Sequence, residues 1–288
     1  MSNSSYLLVD LSYACFNKFY ATKKYYSLSK PEISLNNVES WNDVPGFISQ
    51  FKKSFYNDIN NIVKKLKLNW NNVIFAKDCP RKYIWRNNLY SNYKSTRDEM
   101  HKKQNFNGGE IFHYVYNTFI PELIQKHNVK LISCNNAEAD DIVATITNYL
   151  IKNTNSNITI IANDNDYLQL LNDRVKLSNI KLKYKEIENN HIELWTKILV
   201  GDISDNIQAC YIKRDVINND SKKYKNNIVK CTKRNISKLI QNKEFIDKIL
   251  NEPELIENQQ HLKNRTLIDF NFIPENIKDE IITNFTSL

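Results

Sequence analysis

Glycine is nearly absent from this chain: four residues in 288, at Gly46, Gly108, Gly109 and Gly201. Glycine-rich phosphate loops of either familiar type need several glycines in one short segment, so both are excluded. Cysteine is sparse and scattered. Cys15, Cys79, Cys134, Cys210 and Cys231 form no CxxC pair, which gives no zinc ligand set and no disulfide framework, and points to a reducing, intracellular compartment. His101, His113, His127, His191 and His261 show no metal-like spacing. The opening MSNSSYLLVDLSYACF has no basic leader and its apolar stretch is broken by Asp10, so it reads neither as a signal peptide nor as a membrane span.

Hydrophobic residues make up 41% of the chain and charged residues 25%, the balance of a globular protein. The net charge is +8, which suits a polyanionic partner and is also compatible with a plain basic protein. Short apolar runs recur: YLLVD (6–10), NVIFAKD (72–78), VKLISC (129–134) and ITIIAND (158–164). Helix-like segments separate them. Phe47, Phe51, Phe55, Ile59 and Ile62 keep helical spacing, as do Ile142, Ile146 and Leu150, and Pro121 divides the segment between runs two and three. Strands alternating with helices predict an α/β fold, with a mostly parallel central sheet flanked by helices. Residues 175–187 have room for one or two short strands, and HIELWTKILVGDISDNI reads as a helix entering a turn.

Open parallel sheets bind ligands beyond the carboxyl ends of their strands, and acids stand there. Asp10 closes the first run, Asp78 the second, and Asp164 with Asp166 the fourth; Glu138, Asp140 and Asp141 follow the third, and Asp202 and Asp205 come later. Like charges this close repel by about 1 kcal/mol per pair in water and roughly 4 at a surface dielectric. Singly, each acid has an ordinary role as a turn former or a helix-start anion. Jointly, nine carboxylates on one sheet edge need counter-charge. With oxygen donors and no Cys or His in these segments, a hard divalent cation fits better than zinc. Two Mg²⁺ ions, or Mn²⁺, about 4 Å apart can stabilise both the attacking and leaving oxygens of a phosphodiester displacement.

The motifs and their order resemble the 5′→3′ exonuclease and flap endonuclease family. LLVD (7–10) is similar to its first strand and leading Asp. FAKD (75–78) resembles its second acidic segment, and WRNNLYSNYKSTR (85–97) its arginine, Tyr-Lys and later Arg. AEADD (137–141), ANDND (162–166) and GDISDN (201–206) complete a likeness over roughly residues 6–207. The resemblance implies one metal site built by Asp10, Asp78, Glu138, Asp140 and Asp141. It implies that Asp164, Asp166, Asp202 and Asp205 serve a second ion or the waters linking both. It also implies that Arg86 and Lys94 orient the scissile phosphate.

Residues 81–103 carry seven Lys or Arg against two acids, interleaved with Tyr83, Trp85, Tyr90 and Tyr93. Basic groups meet phosphates and aromatics stack on unpaired bases, so Arg81, Lys82, Tyr93, Arg97, Lys102 and Lys103 are candidate nucleic-acid contacts. The alternative is a solvated loop with a packed Trp or Tyr. After Gly201 no glycine remains, so the family's glycine-rich helix–hairpin–helix is missing or rebuilt. Residues 211–248 instead hold eleven Lys or Arg against four acids, including Lys222 and Lys223.

These readings give a nuclease core over 1–207, with a basic arch at about 81–108, and a smaller C-terminal helical DNA-binding region over 208–288. The expected activity is metal-dependent hydrolysis at single-stranded 5′ ends or flaps of DNA, or of RNA primers in RNA–DNA hybrids, by a monomer with no membrane role. Two alternatives stand beside it. One is a non-catalytic DNA-binding protein on a nuclease scaffold. The other is a small-ester phosphatase, which needs a DxD where this chain has Asp10-Leu11-Ser12.

Overall fold

The apolar runs become strands because β-branched residues suit a pleated, doubly covered surface. The computed structural model describes residues 4–35, 38–97, 106–186, 189–213, 216 and 228–287. Five strands, β1 (Ser5–Asp10), β2 (Val73–Lys77), β3 (Lys130–Ser133), β4 (Asn157–Ile161) and β5 (Val175–Ser178), form one parallel sheet in the order β3-β2-β1-β4-β5. Leu7 and Val9 pair with Val73 and Phe75 and face one core; Leu8, Ile74 and Ile160 face the other side.

Helices α1 (Leu11–Ser29) and α2 (Phe47–Lys65) cover the first face. Phe47, Phe51, Phe55 and Ile59 are fully buried along α2, as the spacing predicts, and each contributes about 1.5–3 kcal/mol of burial. The next helical segment is divided: α3 (Gly109–Tyr114) passes through a π-turn at Val115–Phe119 into α4 (Ile120–His127). Pro121 has no N–H for the i−4 carbonyl, which explains the wider turn just before it. Helix α5 (Ala139–Asn153) lies against β1 and β2 on the opposite face.

The order of strands creates a switch point. From β1 the chain moves outward through β2 to β3, then returns through α5 to β4 on the other side of β1. The crevice beside β1, at the carboxyl ends, is where such sheets bind ligands.

The chain divides into two compact units: Met1–Ile84, Gln104–Glu186 and Glu275–Leu288 form one, and Trp85–Lys103 with Ile187–Pro274 the other. This division differs from a cut at 207/208, because the 85–103 segment groups with the later residues and the last helix returns to the sheet unit. The second unit contains α6 (Asn190–Val200), an antiparallel ribbon of β6 (Tyr211–Lys213) and β7 (Ile228–Lys230), and the helices α7 (Lys233–Ile236), α8 (Lys243–Asn251) and α9 (Gln260–Ile268). Within it, buried Asn264 on α9 donates to the carbonyls of Ile198 and Gln208, both at 2.8 Å. Helix α10 (Glu275–Thr286) completes the chain in the first unit. It packs on α5 and β3, where Lys130 Nζ donates to the Phe285 carbonyl at 3.1 Å. Among the described residues no helix is long and apolar enough to cross a membrane.

Candidate active site

Asp10 ends β1 and caps α1. Its Oδ1 accepts the Tyr13 backbone N–H at 2.9 Å and its Oδ2 the Tyr167 hydroxyl at 3.0 Å. Asp78 follows β2 on the adjacent strand, and is held in the same way: Oδ2 accepts the Ser12 hydroxyl at 2.5 Å and Oδ1 the Ala139 N–H at 2.7 Å. Neither carboxylate has an ion pair among the described residues, and the donors that hold them are neutral. Burial, and then the charge of Asp78, push the Asp10 carboxyl up from 3.8 to about 7, with the Tyr13 and Tyr167 hydrogen bonds working the other way and Asp164 adding to the rise. The same surroundings act on neighbours: burial lifts the Tyr167 hydroxyl well above its ordinary value, and burial lifts the Cys79 thiol to about 12.

The third acidic segment begins α5. Glu138 is the N-cap, its N–H donates to Asp141 Oδ2 at 3.1 Å, and Asp141 N–H donates to Asp140 Oδ1 at 2.7 Å. One carboxylate oxygen from each of Glu138, Asp140 and Asp141 lies within 4.8 Å of the others. The helix start offsets part of that repulsion. Asp164 follows β4, and its Oδ1 accepts the Asp166 N–H at 3.0 Å. Asp166 opens a short 3-10 turn, Asp166–Leu170, that carries Tyr167 inward.

Seven of the nine predicted acids therefore belong to the sheet unit. Asp202 and Asp205 belong to the second unit, in the tight loop after α6. Gly201 enters that loop at φ +77, where a Cβ would meet the Ile207 carbonyl oxygen at 2.5 Å, so this glycine is required by its backbone. Lys197 Nζ pairs with Asp202 at 2.7 Å, and the Ser204 hydroxyl donates to it at 2.6 Å. Asp205 is buried; Arg97 reaches it at 2.6 Å, Lys94 Nζ at 3.5 Å, and the Tyr93 hydroxyl donates to it at 3.1 Å. Burial alone would raise the Asp205 carboxyl, but Lys94, Arg97 and Lys197 outweigh it and hold it at about 2.

In the basic segment, Arg81 is half-buried and Lys82 exposed, with Lys82 Nζ 4.6 Å from the centre of the Tyr83 ring. Arg86, read from the sequence as a phosphate-orienting group, is only 2% exposed. Its Nε donates to the Leu267 carbonyl at 2.8 Å and its guanidinium stacks 4.5 Å from the Trp85 ring. That environment buttresses the second unit and leaves no exposed face for a phosphate. Tyr93 is likewise buried, so packing is its visible role. Lys102, Lys103, Lys222 and Lys223 lie outside the described residues.

The donor set fits a hard divalent cation. It is all oxygen, and the elevated Asp10 carboxyl shows that positive charge is wanting beside Asp78.

Residues 5–196 match the family described as 5′-3′ exonuclease, N-terminal resolvase-like domain. The chain belongs to the 5′-3′ exonuclease family. Residues 188–288 of this exonuclease-family chain match a second family, the C-terminal part of T4 RNase H. It is 25% identical over 254 residues to the ribonuclease H of Enterobacteria phage T4, covering 83% of this chain and 78% of that one. It is 28% identical over 160 residues to a 5′-3′ exonuclease of Buchnera aphidicola, of which the match spans about half, 51%. The fold is that of the phage T5 5′-exonuclease with bound zinc, at a TM-score of 0.61 and 16% identity over 98% of this chain and 97% of that one. A T5 flap endonuclease in complex with DNA and metal ions matches at 0.56, with 16% identity over 98% of each chain.

Sequence reasoning on this exonuclease-family chain passed over Ser12 and Tyr167, the hydroxyls that hold Asp78 and Asp10. The available signal was their position: each lies within two residues of a strand-end or loop carboxylate. It also passed over Lys185, whose Nζ donates to Asn165 Oδ1 at 2.8 Å beside Asp164.

Proposed function

We propose that this chain is a divalent-metal-dependent 5′-nuclease, hydrolysing phosphodiester bonds at single-stranded 5′ ends or flaps of DNA, or of RNA primers, in replication or repair. One observation carries the reading. Asp10 and Asp78 stand side by side at the switch point, held by neutral donors, and the Asp10 carboxyl is raised to about 7 for want of counter-charge. A binding protein has no physical use for that cost.

Asp10, Asp78, Glu138, Asp140 and Asp141 are the proposed holders of one Mg²⁺ or Mn²⁺, and Asp164 and Asp166, with Asp202 and Asp205, of a second or of its waters. When bound, such ions supply the positive charge that activates an attacking water and offsets charge on the leaving oxygen. The chain's own groups do the positioning. Ser12, Tyr167 and the Tyr13 and Ala139 N–H groups fix the carboxylate oxygens without neutralising them. Lys94 and Arg97, gathered on Asp205, are the proposed cations for the scissile phosphate, so substrate competes with that carboxylate for them. Arg86 takes a supporting role, and Arg81 and Lys82 are proposed backbone contacts. No side-chain nucleophile is required.

The test is a matched panel of 5′-flap, nicked, single-stranded and RNA-primed substrates incubated with Mg²⁺. The expected result is cleavage that EDTA stops and that Asp140→Ala abolishes while DNA binding persists. Full activity in that variant, or no cleavage of any substrate by the wild type, overturns the reading.

A further inference from the structure

The second unit carries a stretch of surface whose cations have no carboxylate to answer them. In the β6–β7 ribbon Tyr211 stands opposite Lys230, Ile212 opposite Val229 and Lys213 opposite Ile228. Side chains alternate across a strand, and burial follows: Ile212 is buried, while Tyr211, Lys213, Ile228 and Lys230 are exposed. The chain then enters α7 and reaches α8 with Lys233, Arg234, Lys238 and Lys243, all exposed. From 228 to 243 there are five Lys or Arg and no Asp or Glu.

None of Lys213, Lys230, Lys233, Arg234, Lys238 or Lys243 forms an ion pair among the described residues. The contrast within the unit is plain, since Lys94, Arg97 and Lys197 all meet acids there. Lys243 also occupies the first position of α8, where the helix dipole disfavours a cation. A surface that serves solubility alone mixes both signs.

We infer that the exposed face of the β6–β7 ribbon, with Lys233, Arg234 and Lys238 beside it in sequence, is a binding surface for the sugar–phosphate backbone of duplex DNA. Lys213 and Lys230 are diagonal neighbours on one face, with Cβ atoms about 7–8 Å apart. That matches about two nucleotide steps at roughly 3.4 Å of rise per strand. Single-strand sites add aromatic platforms on which bases stack; this surface offers Tyr211 alone among six cations. It reads backbone charge and is blind to sequence. It also supplies what the lack of glycine after Gly201 removes, a hairpin that brings backbone amides against phosphate. The inference rests on the nuclease reading for its biological sense and not for its physical basis.

The test uses the full chain in EDTA, so that chemistry plays no part. Lys213→Gln, Lys230→Gln, Lys233→Gln and Lys238→Gln are combined in one variant. A charge-matched control combines Lys53→Gln, Lys64→Gln, Lys65→Gln and Lys67→Gln, exposed residues in and just after α2. Binding to a labelled blunt duplex and to a single strand of equal length is measured by anisotropy across a salt series. Each lost phosphate contact lowers the slope of log Kd against log salt by about 0.9. The expected result is a slope reduced by about 2–4, duplex binding weakened roughly tenfold or more, and single-strand binding and the control variant close to wild type.

Unchanged duplex binding overturns the inference, as does an equal loss in the control, which would reduce it to net charge. An equal loss on single strands overturns the duplex assignment, and so does a loss confined to anionic vesicles. Cleavage in Mg²⁺ is scored separately on the wild type. A chain that binds duplex through this surface but never cleaves refutes the nuclease reading alone. One that cleaves, with duplex affinity indifferent to these lysines, refutes this inference alone.

Discussion

Replacing Asp10 by Asn removes the charge that the site can least accommodate without a cation, and the consequence is measurable as stability. The folded Asp10 carboxyl stands at about 7 against an ordinary 3.8. Below about pH 4 the folded and unfolded chains both hold this proton, and the group is neutral in the balance. As pH rises toward 7 the unfolded carboxyl ionises while the folded one resists, so stability falls; above about 7 the cost is complete. At about 1.4 kcal/mol for each tenfold in proton affinity, the ceiling is about 4 kcal/mol. Partial exposure of the side chain lowers that, and about 1–3 kcal/mol is the working expectation. For a chain of this size each kcal/mol moves Tm by about 2–4 °C.

The amide introduced by Asp10→Asn keeps an oxygen to accept the Tyr13 N–H, so the α1 cap survives. In EDTA, melts from about pH 5 to about pH 8 should therefore show the wild type losing stability where Asp10→Asn does not. The variant should end roughly 2–10 °C above the wild type at the alkaline end. Excess Mg²⁺ should reverse the order. It binds the folded wild type and adds about 2.7 kcal/mol at one hundred times its Kd, while the variant has lost a ligand and gains less. Coincident melts for the two proteins at every pH, with equal response to Mg²⁺, would refute the claim that uncompensated carboxylates build this site.

Tyr167→Phe removes the hydroxyl that donates to Asp10; a cost of about 0.5–1.5 kcal/mol and a pH–cleavage profile displaced to higher pH are expected, and an unmoved profile would remove Tyr167 from the positioning role. Asp205→Ala takes away the carboxylate shared by Lys94, Arg97 and Tyr93, and breaking a buried pair from one side costs about 3–5 kcal/mol, readable by denaturant unfolding. Because that carboxyl is held at about 2, its stabilisation is present above about pH 4 and lost as pH falls through about 2, so the wild type and Asp205→Ala should converge in acid. Gly201→Ala forces a Cβ onto the Ile207 carbonyl at positive φ and is expected to cost more than about 1 kcal/mol, with a wild-type melt as the refuting result.

The sheet and its acidic rim were legible because both are local. Each strand of the parallel sheet is a short β-branched run, and Asp10, Asp78 and Asp164 are the residues that end or follow such runs. Strand period and strand polarity then dictate that they share an edge. What stayed hidden depends on partners distant in sequence. Nothing near Asp205 announces that Arg97, 108 positions earlier, will claim it. Nothing near Arg86 announces the Leu267 carbonyl, 181 positions later. The return of α10 to β3, which defeats a simple cut at 207/208, is of the same kind.

That difference has a chemical logic. An acid whose counter-charge comes from the protein is part of the fold, and folding chooses its partner from anywhere in the chain, as it does for Asp202 with Lys197 and Asp205 with Lys94. An acid whose counter-charge must come from solution is left with neutral donors: Ser12 and the Ala139 N–H for Asp78, the Tyr13 N–H and Tyr167 for Asp10. The two groups look alike in the sequence, as carboxylates in DxD-like clusters. They part company in the direction of their shifted acidities, with Asp10 raised and Asp202 and Asp205 lowered. By that criterion the cation demand is greatest around Asp10 and Asp78, and titrating Mg²⁺ against Asp10→Asn and Asp205→Asn should show the larger loss of affinity in the first.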